Sequence, residues 1–454
     1  MGWRELIRDH GCAVAAGPVS AVELTAALLR IAGETIAITR AQHGDPELSD
    51  ALDRLTRACC DLLGRAIGGV PVEYVASTSV DALIEVLEHA GVSEGIAALT
   101  AARCVDAYAG GAFVDAFRAR SMQTVRAGDA IPVVRFPSDR LSLEAHERIL
   151  EALGRRTSDP RNRTEHFDRT DHLRLAPAEI DRLRVRIVWA EPWLDPVTEA
   201  TRFGVAVTND AAIDRDFAWR EYTVGTRDLF YGVGPRDPDE QHRRLQHVLA
   251  GAEAAAASIV VLPELCLTEP LLDRLEAEGA FDMLPIVVAG SYHAEAAEPD
   301  PGANVAVVFA GGMRVAEHRK FTDFHFGPTA GRRHEHLDRD PARCGFDLLL
   351  GPHGSIVVLI CKDALDEHVA RLVQDLAPTV VLVPSMGEEV ATFELLAARL
   401  ARDPQAFTVV AIAGPGQHGV FGRPSRKIPV TTVKKAAPNV AIFRISGIQS
   451  TDNS

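Results

Sequence analysis

One apolar string occurs twice in this chain and nearly a third time. Residues 258–262 and 355–359 both read SIVVL, and residues 379–385 read TVVLVPS. Runs this short and this rich in Val and Ile are what strands buried on both faces require. Helical patterns lie between them: DEQHRRLQHVLAGAEAAAA before the first copy, DALDEHVARLVQDL after the second and ATFELLAARLARD after the third. Two further segments turn on glycine and read as hairpins, ANVAVVFAGGMRVAEHRK at Gly311-Gly312 and DLLLGPHGSIVVLIC at His353-Gly354. Hairpins mixed with strand–helix alternation predict a mixed sheet with helices on its faces, an α/β (α+β type) fold, over residues 183–447. The sixth residue after each leading Ser or Thr is Glu264, Cys361 or Ser385. Side chains alternate along a strand, so equal offsets give equal facing if the strands are in register.

The first 154 residues have a different texture. Leu24, Leu28 and Ile31 keep a helical period, as do Leu52, Leu55, Cys59 and Leu62. Thr78 with Asp81 has capping-box spacing, and Ser142 to Gly154 frames another helix. Only IPVVRF (131–136) reads as extended. A mainly α-helical N-terminal domain (1–154) is therefore expected. A polar linker (155–182) follows, most charged over RRTSDPRNRTEHFDRTDH, and residues 448–454 form a tail. The stretch 192–237 reads as an insertion between the first strand, LRVRIVWA, and the helix before Glu264. It holds many of the scarce aromatics, and loops of that size tend to be functional or disordered.

Composition removes several function classes. A formal charge of −15 lacks the basic surface that nucleic acid or an anionic membrane needs. No apolar run of about 18 residues appears, and Glu5 and Asp9 interrupt the N-terminus where a signal peptide needs an apolar core. A cytoplasmic protein is expected. Seven cysteines without a C-x-x-C pair exclude a disulfide framework and a Cys-type zinc site. Neither G-x-G-x-x-G nor a P-loop follows a strand, so no cofactor is expected. His318, His325, His334 and His336 crowd one segment beside Glu335 and Asp338, but they form no H-E-x-x-H pattern, and no metal is expected. A Cys–His protease has no compelling histidine near Cys361.

Chemistry concentrates at strand ends. Cys361 closes a buried strand ahead of the helix expected from Asp363. A helix N-terminus lowers a thiol's pKa and favours the thiolate. Glu264, fixed behind Pro263, is the candidate base, and Lys320 the candidate cation for a developing oxyanion. PEL around Glu264, HRKF around Lys320 and LICKD around Cys361 together resemble the Glu–Lys–Cys triad of the nitrilase, or carbon–nitrogen hydrolase, superfamily. VVAGSYH, Asn304 at the head of ANVAVVFAGG, TVVLVPS and ARLARDPQAFTVVAIAG resemble further family segments. The resemblance covers roughly 183–447. It implies a four-layer α-β-β-α sandwich preceded here by the helical domain. It also implies hydrolysis of a non-peptide carbon–nitrogen bond, in an amide or a nitrile, through a Cys361 thioester. Glu335 is the candidate second carboxylate, and the backbone N–H of Lys362 the candidate oxyanion donor. The Lys362 side chain departs from the bulky residue usual there and places a further cation beside the sulfur. Expected partners are a small-molecule substrate, further copies of the chain in a homo-oligomer, and a protein bound through the N-terminal domain. The alternative is a non-catalytic sensor or interaction module on the same fold.

Overall fold

The computed structural model describes residues 2–14, 17–33, 46–66, 73–134, 170, 172–190, 201–206, 217–294, 302–326, 333–337, 340, 343–352, 354–386, 390–402, 406–413, 419–421 and 440–444. The chain divides into two compact units, Met1–Arg120 with Arg126–Ala178, and Ser121–Val125 with Glu179–Ser454.

The first unit is mainly helical. Helices α1 (Trp3–Asp9), α2 (Ala21–Ala32), α3 (Pro46–Ala66), α4 (Ser77–Glu88) and α5 (Glu94–Ala116) carry most of it. Strand β1 (Val19–Ser20) pairs with β2 (Tyr74–Val75), and β3 (Ala130–Pro132) with β4 (Leu173–Leu175). Ser20 caps α2, its Oγ accepting the Glu23 N–H at 3.4 Å. Two local expectations fail. Thr78 does not cap α4, whose N-cap is Ala76 with no side-chain bond. In α3 it is Leu63, not Leu62, that is fully buried beside Leu52, Leu55 and Cys59. The helix expected at 142–154 and the linker up to 169 lie outside the described residues. Beyond them Thr170 and His172 are buried, and the His172 backbone N–H donates to both carboxylate oxygens of Asp106, at 3.1 and 3.2 Å. The chain at 170–182 is thus built into structure by β4 and a short 3-10 turn (Ala178–Arg182).

The second unit is a mixed sheet with helices outside it, the α-β-β-α arrangement. In chain order it runs β5 (Arg184–Trp189), β6 (Arg202–Ala206), β7 (Phe217–Val224), β8 (Arg227–Pro235), α6 (Pro238–Ala254), β9 (Ile259–Val261), α7 (Glu269–Ala277), β10 (Ile286–Val288) and β11 (Tyr292–His293). It continues through β12 (Asn304–Ala310), β13 (Met313–Arg319), β14 (His325–Phe326), β15 (Arg333–Glu335), β16 (Gly345–Gly351), β17 (Gly354–Val358) and α8 (Glu367–Leu376). Strand β18 (Val380–Ser385), α9 (Glu394–Arg402), β19 (Phe407–Ile412), β20 (Gly419–Phe421) and β21 (Val440–Arg444) complete it.

The main sheet has the order β20-β19-β18-β17-β16-β13-β12-β10-β9-β6-β21, with β5 on β16 and β11 on β12. It folds over, so that β18 and β19 pack against β9 and β6, and the Phe203 and Phe407 rings lie 6.0 Å apart between the halves. Helices α6 and α7 bury Leu245, Val248, Leu249, Leu271 and Leu275 against the outside of one half, in a core with Val260, Val287, Val307 and Phe309. On the other half α8 buries Val369, Leu372, Val373 and Leu376, and α9 packs on β19 and β20. Removing such side chains from water contributes about 1.5–3 kcal/mol each.

The repeated SIVVL strands are not neighbours: four strands separate β9 from β17 within the sheet. Folding of the sheet, not adjacency, brings their ends together. The expected first strand is also corrected. LRVRIVWA (β5) pairs in parallel with β16, while RFGVA (β6), counted within the insertion, is the parallel neighbour of β9. Gly345 permits the β5–β16 approach, since a Cβ there would sit 1.8 Å from the Arg184 carbonyl oxygen. Residues 217–235 of the insertion form a β7–β8 hairpin in a separate four-stranded sheet, β14-β15-β8-β7. Among the described residues no helix is long and apolar enough to cross a membrane.

Candidate active site

Glu264 leaves β9 through Pro263, which has no N–H to extend the ladder. The next residue, Leu265, takes a left-handed φ of 55°, and its N–H is held by Ser291 Oγ at 3.0 Å. Gly290 makes this turn fit. Its φ is +72°, and a Cβ there would meet the Pro263 carbonyl oxygen at 2.3 Å and Cys266 Sγ at 2.5 Å. Gly290→Ala is expected to destabilise the protein by roughly 2–3 kcal/mol, from overpacking and a positive φ together. A urea midpoint equal to wild type would contradict this.

Lys320 follows β13, where its N–H donates to the Asn304 carbonyl at 2.8 Å. Its ammonium donates to Glu264 Oε1 at 2.7 Å and to Glu335 Oε2 at 2.5 Å. Asn304 spans the same two carboxylates, Nδ2 donating to Glu264 Oε1 and Glu335 Oε1, each at 2.9 Å. Glu264 Oε2 accepts the Met386 backbone N–H at 2.9 Å. Glu335, at the end of β15, also accepts from His293 Nε2 at 3.0 Å and from the Phe324 N–H at 3.1 Å. Glu264, Lys320 and Glu335 are each at most 4% exposed. Such burial is tolerable only because opposite charges and donors meet at every face. Burial would depress the Lys320 pKa, but the two carboxylates raise it well above the usual lysine value, so the group is an ammonium.

Burial alone would push Glu335 up; the Lys320 charge and the His293 hydrogen bond outweigh it and hold the group at about 2. A depressed carboxylate pKa contributes stability that is present above the unfolded value, near 4.5, and is lost as pH falls towards 2. Urea midpoints of wild type and Glu335→Gln should therefore differ most near neutral pH and converge through that acidic window. A gap constant from pH 6 to 3 would refute the assignment.

Cys361 sits at the far end of β17 with a left-handed φ of 45°. A left-handed backbone costs a non-glycine residue about 1–2 kcal/mol, and this one turns the sulfur towards β18. There Ser385 Oγ donates to Sγ at 3.4 Å. The β17–β18 register pairs Ile356 with Val380, which continues to Cys361 beside Ser385. Asp363 ties this turn to the lysine loop: Oδ1 accepts the N–H groups of Phe321 (3.2 Å) and Thr322 (2.8 Å), and Oδ2 lies 2.8 Å from His318 Nε2. Lys362 is half-buried, its carbonyl accepting the Asp366 N–H at 3.2 Å.

The expected lowered thiol pKa is overturned. Residues Cys361–Leu365 form a 3-10 turn, and the α-helix starts only at Glu367, capped by Asp366. Burial, then the adjacent Glu264 charge, push the thiol up to about 12; Lys320, Ser385 and the Met386 backbone oppose them without prevailing. The resting sulfur carries its proton.

The structure thus gathers Glu264, Lys320, Glu335 and Cys361 at one place, from segments 15 to 97 residues apart in sequence. Asp363, His293 and the Met386 N–H were not singled out from the sequence. An acid two residues after the cysteine was the one available signal; a backbone N–H gives none. The histidine-rich segment does not converge on one point: His318 faces Asp363, His325 pairs with His334 across β14 and β15, His334 Nδ1 lies 3.1 Å from Asp323, and His336 bonds Tyr222. Asp338 lies outside the described residues, among which no group of three His, Cys, Asp or Glu could hold a metal ion.

No family model and no curated protein matches the chain. Solved structures do. A glutamine-dependent NAD+ synthetase from Acinetobacter baumannii aligns at 14% identity and TM-score 0.38, over 54% of this chain and 45% of its own. A mutant amidase from Nesterenkonia sp. AN1, showing covalent addition of the acetamide moiety of fluoroacetamide at the active site cysteine, aligns at 15% and 0.38, over 56% and 94%. Saccharomyces cerevisiae Nit3, a member of branch 10 of the nitrilase superfamily, aligns at 14% and 0.38, over 56% and 94%. Likenesses of this size settle neither reaction nor substrate, and the chemistry rests on the side chains themselves.

Proposed function

We propose that this protein hydrolyses a non-peptide carbon–nitrogen bond, an amide first and a nitrile second, with Cys361 as nucleophile. The observation that carries this reading is the buried ammonium of Lys320 held between Glu264 and Glu335, in electrostatic reach of a thiol. A structural ion pair would need neither the second carboxylate nor the sulfur.

Glu264 takes the thiol proton as the sulfur attacks the carbonyl carbon. The oxygen becomes an oxyanion, stabilised by the Lys320 ammonium and the Lys362 backbone N–H. Collapse breaks the carbon–nitrogen bond; Glu264 returns the proton to the leaving nitrogen, and a Cys361 thioester remains. Glu264 then removes a proton from water as it attacks the thioester carbon; the carbon–sulfur bond breaks, Glu264 returns the proton to the leaving sulfur, and the carboxylic acid departs with the thiol regenerated. Glu335 stays ionised and keeps the ammonium in place. A thiol near pKa 12 fits this sequence, because proton transfer accompanies attack and does not precede it.

The test is to incubate the full chain with a panel of small amides and nitriles, measure ammonia, and weigh the protein after rapid acid quench. Ammonia release with an acyl mass on the Cys361 peptide is expected. Absence of both with every compound would overturn the reading.

A further inference from the structure

The aromatic insertion and the active-site carboxylate share one histidine. The His293 ring is wholly buried, 0% exposed at the side chain. Gly232 of β8 presents its backbone N–H to Nδ1 at 2.6 Å, and Nε2 lies 3.0 Å from Glu335 Oε1. A backbone N–H can only donate, so Nδ1 accepts. The ring proton then resides on Nε2 and points at the carboxylate. Gly232 allows the approach: a Cβ there would lie 3.3 Å from both Nδ1 and Trp219 Cζ3. The same hairpin holds the backbone of Glu335. Strand β15 pairs in parallel with β8, Glu335 opposite Phe230, and the His336 N–H donates to the Phe230 carbonyl at 3.0 Å.

We propose that His293 is a positioning residue whose tautomer is imposed by the β7–β8 hairpin, and that through it the hairpin aims Glu335 at Lys320. The hairpin is then part of the catalytic scaffold and not a lid over it. The inference rests on the hydrolase reading for its kinetic consequence, but the tautomer stands apart from it.

Two substitutions separate positioning from bulk structure. His293→Ala leaves the Gly232 N–H and one face of Glu335 without partners. His293→Gln offers an amide N–H to Glu335 and a carbonyl to Gly232. For the Ala variant kcat should fall about 10- to 100-fold, the scale seen when a ligand-orienting partner is removed, with KM within about twofold. Glu335 also loses one of the groups that hold it low, so the acid limb of kcat should move to higher pH. The Gln variant should recover most of kcat and the wild-type pH limb. If both variants keep wild-type kcat, or lose it equally in step with thermal stability, the positioning role is overturned. Nitrogen-15 NMR of histidine-labelled protein at neutral pH, with His293 assigned by its loss in the Gln variant, should show the ring proton on Nε2. A proton on Nδ1 would refute the proposal whatever the kinetics. Should wild type release no ammonia from any amide, the hydrolase reading falls, and the NMR result alone decides the tautomer.

Discussion

Cys361→Ala is expected to lower amide hydrolysis by at least about 10⁴-fold, the scale on which a member of a cooperating nucleophile set fails. The fold should persist. The sulfur is a small buried group that accepts a hydrogen bond from Ser385, and alanine still has to adopt φ 45°. The pattern across neighbouring variants is more diagnostic than the size of the loss. Glu264→Gln removes the proton acceptor but keeps an oxygen for the Lys320 and Asn304 donors, so it should also abolish turnover. It should also leave the buried, protonated Cys361 thiol without a group to take its proton. Alkylation of Cys361 by iodoacetamide should then be slower in Glu264→Gln than in wild type at pH 8. Cys266, raised to about 12 by burial, should label equally in both. Faster or unchanged labelling of Cys361 in Glu264→Gln would mean that Glu264 does not take the thiol proton, and the assigned base would be wrong.

The parts of this site that sequence could deliver are those written as residue types at strand ends. Glu264, Lys320 and Cys361 each follow a recognisable apolar run, and the offset of six correctly aligned Cys361 with Ser385 on adjacent parallel strands. For Glu264 the same offset carries no such information, because a shared local pattern says nothing about which strands are neighbours. That depends on the sheet folding over itself, a long-range event. Asn304 was visible only as a resemblance, and its bridging of two carboxylates needs the ends of β9 and β15 in place. RFGVA does not stand out as a strand because Gly204 breaks its apolar run, although Phe203 and Val205 keep the strand period. Helix α5 carries little helical signal in its sequence: EGIAALTAARCVDAYAGGAFVDA is apolar on nearly every face, and Gly110-Gly111 imitates a stop. The thiol pKa departs from expectation for a similar reason. The pattern implies a helix start, whereas Asp363, bound to two loop N–H groups and His318, lies in a tight 3-10 turn.

Lys320→Met should cost stability as well as activity. Methionine matches the length of the lysine stem but leaves Glu264 and Glu335 with the Asn304, Met386, Phe324 and His293 donors and without the ammonium between them. Breaking a buried ion pair by removing one partner costs about 3–5 kcal/mol. Two carboxylates sharing a site cannot both stay ionised cheaply, so in the variant at least one pKa rises. The signs then oppose. In wild type, the depressed Glu335 contributes stability above about pH 4.5 that is lost as pH falls. In the variant, a raised carboxylate contributes stability at low pH that is lost as pH rises. The gap between the two should therefore be widest near pH 7 and shrink steadily towards pH 4. Adding Glu264→Gln to Lys320→Met removes one of the stranded charges and should restore part of the neutral-pH stability while leaving turnover absent. Urea denaturation of the three proteins at pH 7 and pH 4 measures this directly. Equal gaps at both pH values, or no recovery in the double variant, would show that the cluster is held by packing and not by the charge balance around one buried ammonium.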